Sequence, residues 1–184
     1  IIQWELVMNY YKIYGADNFE HVNFLDESYY EKLTQLKNQK TIEFGDKPQV
    51  ELGKPDWRQK AKKADFPGYG TNFIFMRDYV YGKDKAFFEQ FGVLFPVYSN
   101  KGDKLYVFNC DLLEDALDEE KSEFVRFDSG KVMMVEKHVF KNTIPESRIM
   151  FRIPYTNNPI IVTDKFIEYY NANNYNGMNF KKIA

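Results

Sequence analysis

An α+β fold, with a mixed, largely antiparallel sheet, hairpins and three or four packed helices, is what this sequence predicts. Three observations carry that expectation. Short apolar runs of strand length recur along the chain and end in Gly, Asn or Asp punctuation. Several of these runs are separated by hairpin-length turns, and the regular strand–helix–strand alternation of a parallel sheet is absent. Aromatics make up 18% of the 184 residues, with 17 Phe and 14 Tyr, which supplies a core and is the opposite of a disordered composition.

Residues 10–14 (Tyr-Tyr-Lys-Ile-Tyr) read as the first strand and 21–25 as a second. Ser28 followed by Glu31 has the spacing of a capping box, and Tyr29, Leu33 and Leu36 then recur at i, i+4 and i+7, the stripe of an amphipathic helix. Short strands are expected at 41–44 and 49–52. Residues 53–72 are the least regular part: 56–63 suit one or two basic helical turns. Phe66-Pro67-Gly68-Tyr69-Gly70 must be loop, because Pro and two Gly continue neither regular element cheaply. That loop either separates an N-terminal lobe, 8–70, from a core over 71–184, or lies within one fold.

From residue 72 the pattern firms. Asn72 to Met76 reads as a strand, and Phe87, Phe88 and Phe91 as the buried side of a short helix ended by Gly92. Val93 to Tyr98 and Lys104 to Asn109 flank a five-residue turn, and the second of them is apolar on both faces, as a central strand is. Glu123 to Phe127 and Lys131 to Phe140 flank Asp128-Ser129-Gly130, a second hairpin. Strands at 148–153 and 160–163 follow, then a helix over 165–173 capped by Thr163 or Asp164. Gly177 turns the chain into a last strand, Met178 to Lys182.

The seven residues before Met8 read as an extension upstream of the natural start. Trp4-Glu5 requires GGGA shortly before the Met8 codon, which resembles a bacterial ribosome-binding site. Mass spectrometry of the protein from its host, finding Ile1 to Val7 retained, would end that expectation. No basic cluster precedes an apolar stretch, the longest strongly apolar run is four residues, and there is one cysteine; a cytoplasmic location is expected. With 25 Lys plus Arg against 27 Asp plus Glu, the net charge of −2 argues against a dedicated nucleic-acid or anionic-membrane binder.

Few residues offer catalytic chemistry. Cys110 follows a central-type strand and is expected to be a small buried hydrophobe. His138 alternates with Glu136 and Phe140 on one face of a long strand, and His21 lies beside Glu20; packed or surface roles are the expectation for both. The G-x-S-x-G and H-E-x-x-H spacings are absent. Gly68-x-Gly70 lacks the third glycine of a dinucleotide fingerprint, Phe73 standing in its place. Trp57, Arg58, Lys60, Lys62, Lys63 and Phe66 interleave basic and aromatic groups. In a net-acidic chain these suit a solvated loop or protein interface better than a single-stranded nucleic acid.

The densest feature is 111–120, where six of ten residues are carboxylates and Leu112, Leu113 and Leu117 can anchor the segment to the core. Three uses are open to it: a metal site of hard oxygen ligands, an acidic patch that steers a basic partner, and a solvated turn. Glu119-Glu120-Lys121 contains the E-x-K element of some metal-dependent nucleases, although such elements normally sit on strands and this one reads as helix or loop.

A family resemblance bears on that choice. Leu94-Phe95-Pro96-Val97, Leu105-Tyr106-Val107-Phe108-Asn109, and Asp115-Ala116-Leu117-Asp118 with Ser122 stand in the order of a bacterial family of polymorphic-toxin immunity proteins, immunity protein 11. The similarity continues through Ile149 to Ile153, Ile161 to Phe166 and Gly177-Met178-Asn179-Phe180, and more weakly at Met8 to Lys12 and Ala64-Asp65-Phe66. The resemblance implies a non-enzymatic protein that binds a cognate toxin, with no catalytic residue, metal or cofactor. On that reading Glu114, Asp115, Asp118, Glu119 and Glu120 are the partner-contact candidates, facing a toxin with a basic surface, and Tyr106 and Phe108 support the scaffold. The rivals are a metal-dependent hydrolase using the same carboxylates and a generic protein-interaction module.

Overall fold

Strands follow the apolar runs, and the most apolar run becomes the most enclosed strand. The computed structural model describes residues 8–35, 44–45, 47–53, 60–155 and 157–184, which form three helices and eleven strands. In order these are β1 (Tyr10–Gly15), β2 (His21–Phe24), α1 (Glu27–Thr34), β3 (Val50–Gly53), β4 (Ile74–Arg77), α2 (Asp78–Phe88), β5 (Gly92–Tyr98) and β6 (Lys104–Cys110). Then come β7 (Glu123–Arg126), β8 (Val132–Lys137), β9 (Met150–Arg152), β10 (Ile160–Thr163), α3 (Asp164–Ala172) and β11 (Met178–Lys182). The fold is α+β, as the sequence predicts. The strands are divided among four sheets rather than gathered into one, with orders β11-β1-β10-β9, β2-β3, β4-β6-β5 and β7-β8, and every pairing between them is antiparallel.

The central-strand expectation holds at β6, which lies between β4 and β5 and is buried from Leu105 to Cys110. Its alternation feeds two cores. Leu105 and Val107 pack with Val22, Leu33 and Val50 on the side of β2, β3 and α1. Tyr106, Phe108 and Cys110 pack on the other side with Phe88 of α2, Phe166 of α3, and Ile13, Ile160 and Val162 of the four-stranded sheet. A third core lies on the far face of that sheet, where Tyr10, Phe151 and Ile161 meet Ala116, Leu117, Val135, Phe140 and Ile144. The period of two thus places Tyr11 and Ile13 of β1 toward the helices and Tyr10, Lys12 and Tyr14 toward the opposite face. Strands from both ends of the chain share this sheet, because β1 sits between β10 and β11.

Several local expectations shift. The N-cap of α1 is Asp26, whose carboxylate accepts the Ser28 amide at 2.8 Å, and not Ser28 itself, so the helix starts earlier than the capping-box spacing suggests. Leu33 is its buried residue, while Leu36 and 41–43 lie outside the described residues; Phe44 is not in a strand. In the irregular stretch, 54–59 lie outside the described residues and 60–63 are not helical. α2 begins at Asp78 and ends at Phe88, earlier than the Phe pattern suggests, because Gly92 is already the first residue of β5. A side chain there would strike the Asn109 carbonyl at 2.3 Å, so strand pairing requires glycine. β8 stops at Lys137, and its pairing with β7 is interrupted by irregularities, so the long strand through His138 and Phe140 does not form. Thr163 occupies the N-cap of α3, but its hydroxyl turns to the Ile149 carbonyl at 3.5 Å and leaves the cap amides. Gly177 makes the predicted turn at φ +102, against the Phe66 carbonyl.

Candidate functional site

The acidic segment is neither helix nor regular strand; it is a loop laced to two neighbours by backbone bonds. Leu113 N donates to Arg152 O at 2.8 Å and Arg152 N to Asp111 O at 2.8 Å, tying its start to β9. Further on, Lys141 N donates to Ala116 O at 2.9 Å and Asp118 N to Val139 O at 2.8 Å. Ala116 and Leu117 are buried between these ties, so the intervening carboxylates face outward.

Asp115, Asp118, Glu119 and Glu120 line one surface depression of about 760 Å³ with Lys121, Lys141, Asn142 and Thr143; Glu114 is exposed outside it. Four carboxylates against two lysines leave this depression a net charge of −2. Part of that charge is internally matched. Asp115 pairs with Lys141, and Asp118 pairs with Lys121 at 2.9 Å while also accepting the Lys121 amide at 3.2 Å. Those bonds hold the Asp118 carboxyl below its ordinary range, the Lys121 side chain first among them. Glu119 accepts the Tyr155 hydroxyl at 2.8 Å. Burial first, and then this bond, pushes the phenol of Tyr155 up to about 12.

Asp118 and Ser122 also shape the loop itself. The Ser122 amide donates to Asp118 O at 2.9 Å, and the buried Ser122 hydroxyl accepts Val139 N at 3.0 Å. Glu119-Glu120-Lys121 sits on this turn and not on a strand. Among the described residues, no group of three or more His, Cys, Asp or Glu side chains is arranged to hold a metal ion. Asp111 is directed to Arg148 at 3.5 Å, away from the rest.

Directly after the acidic loop, the β7–β8 hairpin leaves Phe127, Met133 and Met134 exposed by 49%, 38% and 48%. Tyr155 joins hairpin and loop, its ring 5.3 Å from that of Phe124 and its hydroxyl on Glu119. Tyr106 and Phe108, placed in the sequence reading as scaffold, are buried: Tyr106 stacks on Tyr81 at 3.5 Å, and Phe108 meets Phe88 edge-on at 5.2 Å.

Of the other sequence candidates, Cys110, His21 and Phe66 pack within the fold. Cys110 is buried, its thiol bonded to Phe91 O at 3.4 Å, and burial pushes its ionisation well above the ordinary thiol value. His21 packs against Gly15 and Gly68, with Nε2 3.4 Å from the Ala16 carbonyl. Phe66 is a core residue and so unavailable for base stacking. Lys62 lies over Phe19 and Lys63 over Tyr79, each at 5.9 Å, while Trp57 and Arg58 lie outside the described residues.

Sequence reasoning missed the buried Arg77. It binds Glu20 and, at 3.1 Å, Asp103, and donates through Nε to Ala64 O at 3.2 Å. Its only local signal is a charge at the end of the apolar run Phe73 to Met76. Also missed were the exposed Phe127 and Met134, which the sequence marks only as parts of the second hairpin. No helix among the described residues is long and apolar enough to cross a membrane. Comparison with models of known protein families finds none that matches, and comparison with curated proteins likewise finds no match.

Proposed function

We propose that this chain is a non-enzymatic immunity protein that binds a cognate bacterial toxin and occludes its active or substrate-binding surface. One observation carries the reading on the structural side: an acidic depression stands beside a hairpin with exposed apolar side chains, and both rest on a sheet scaffold. The resemblance to immunity protein 11 supplies the biological class. Apolar anchors inside a charged rim are how tight protein interfaces are built: the anchors lose water, and the rim steers and orients the partner.

On this reading Phe127 and Met134 enter the toxin surface, and Glu114, Asp115, Asp118, Glu119 and Glu120 meet its basic residues. Asp115 and Asp118 exchange Lys141 and Lys121 for toxin cations, so their contribution is more to association rate than to affinity. Glu114 has no internal partner among the described residues and gives up nothing on binding, while Glu120 gives up only a long-range attraction to Lys121. The toxin acts in the compartment where the immunity protein is made, which this proposal takes to be the cytoplasm.

Co-expression with the product of the adjacent gene, followed by co-purification and a growth assay, tests the proposal. A stable complex that restores growth is expected. No complex and no rescue, with both proteins folded and the neighbour shown to be toxic, would remove that pairing.

A further inference from the structure

The face of the four-stranded sheet turned away from the helices is covered by the third core around Tyr10, but that cover stops short of Lys12 and Tyr14. A pocket of about 200 Å³ remains there, between β1, the end of β8, and Tyr155, Asn157 and Pro159. Lys12 is half-buried in its wall and stands directly across from Lys181 of β11 in the strand register. Among the described residues neither lysine has an ion-pair partner. Like charges opposed across a strand pair are destabilising, so the fold carries an uncompensated positive centre at this point.

His138 closes the other side of the pocket. It is 7% exposed, and its Nε2 is buried with no hydrogen-bond partner among the described residues. Buried polar groups are nearly always paired, and an orphan asks for a partner that the described residues do not supply. Thr71 and Asn157 add neutral polar groups to the lining, while Met134, Ile153 and Pro159 make the remainder apolar. Among the described residues no carboxylate lines the pocket; Tyr155, which does, donates its hydroxyl to Glu119.

We propose that this pocket binds a carboxylate carried on a short apolar body, with Lys12 as its ionic partner and His138 as a hydrogen-bond partner. The carboxylate answers the opposed lysines, and the apolar body fills the space beside Met134 and Ile153. A phosphate fits less well, since it asks for several charged or backbone donors and one half-buried lysine faces this space. The site adjoins the proposed toxin face, sharing Met134 and reaching Glu119 through Tyr155, but does not depend on toxin binding.

The chain has only two histidines, His21 and His138, so their ring signals are separable by NMR and assignable with one His138 variant. Isovalerate is titrated as a free acid, N-acetyl-Gly-Leu as a peptide carboxyl terminus, and inorganic phosphate as the competing anion. Saturable movement of the His138 ring signals with isovalerate is expected, with His21 still. Lys12→Met, or Lys12→Gln should that variant fold poorly, should weaken the response about tenfold or more. A response to the peptide that exceeds that to isovalerate supports the same site with a protein terminus as ligand. Binding of phosphate alone, no saturable response to either carboxylate, or equal binding by a folded Lys12 variant would each overturn the proposal.

Discussion

β6 and the ten residues that follow it are adjacent in sequence and opposite in physics. From Leu105 to Cys110 every residue is buried, and the alternate side chains knit two cores together. From Asp111 to Glu120 six carboxylates face water, while Ala116 and Leu117 hold the loop down. The first segment pays in packing for the second's freedom. A scaffold fixed by β6 lets the acidic loop keep a shape that its own sequence would not stabilise, and leaves its charges available to a partner. Stability should therefore concentrate in the first segment and recognition in the second.

The largest break should come at Phe108, which is fully buried against Phe88. Phe108→Ala should cost about 3–5 kcal/mol in urea unfolding, since a cavity at this site cannot collapse from both sides. Arg77→Ala comes close behind. It leaves Glu20 and Asp103 without their cation and the Ala64 carbonyl without its donor, at a cost of about 3 kcal/mol that added salt should do little to alter. A loss within the range of an ordinary surface substitution would show that water reaches this cluster.

His138 sharpens the comparison through pH. Burial first, and then the Lys12 charge, lowers its folded pKa to about 4 from the ordinary 6.5. The unfolded chain then binds the extra proton across that window, so stability falls as pH drops from 6.5 towards 4 and is fully present above 6.5. The difference should be on the order of 1–3 kcal/mol, and His138→Gln should remove it. Equal acid sensitivity in both proteins would show that the imidazole titrates freely. The smallest effect belongs to the acidic loop. Glu119→Gln should change stability by less than about 0.5 kcal/mol, yet bring the Tyr155 ionisation down from about 12, as an ultraviolet titration would report.

What could be read in advance divides along the same line. The β5–β6 hairpin, the two-sided burial of β6, α3 and the Gly177 turn were legible because they depend on local alternation, turn chemistry and backbone freedom. The division into four sheets was not legible, since it depends on which distant strands meet β1. The acidic loop announced itself by composition, but its form is set by bonds to Val139, Lys141 and Arg152, far along the chain. Lys12, Lys181 and His138 lie on three separate strands or strand ends, and no spacing rule joins them. Arg77 was hidden for the same reason, its partners lying 57 and 26 residues away.

The most direct measurement is the association rate of the proposed partner, the adjacent gene's product, with this protein and with the variant in which Glu114, Asp115, Asp118, Glu119 and Glu120 become Gln or Asn, across a range of salt. A wild-type rate that falls steeply with salt is expected, with a slower, nearly flat response from an equally stable variant. Identical rates and identical salt dependence would contradict the acidic face as the contact surface, even where the two proteins still bind.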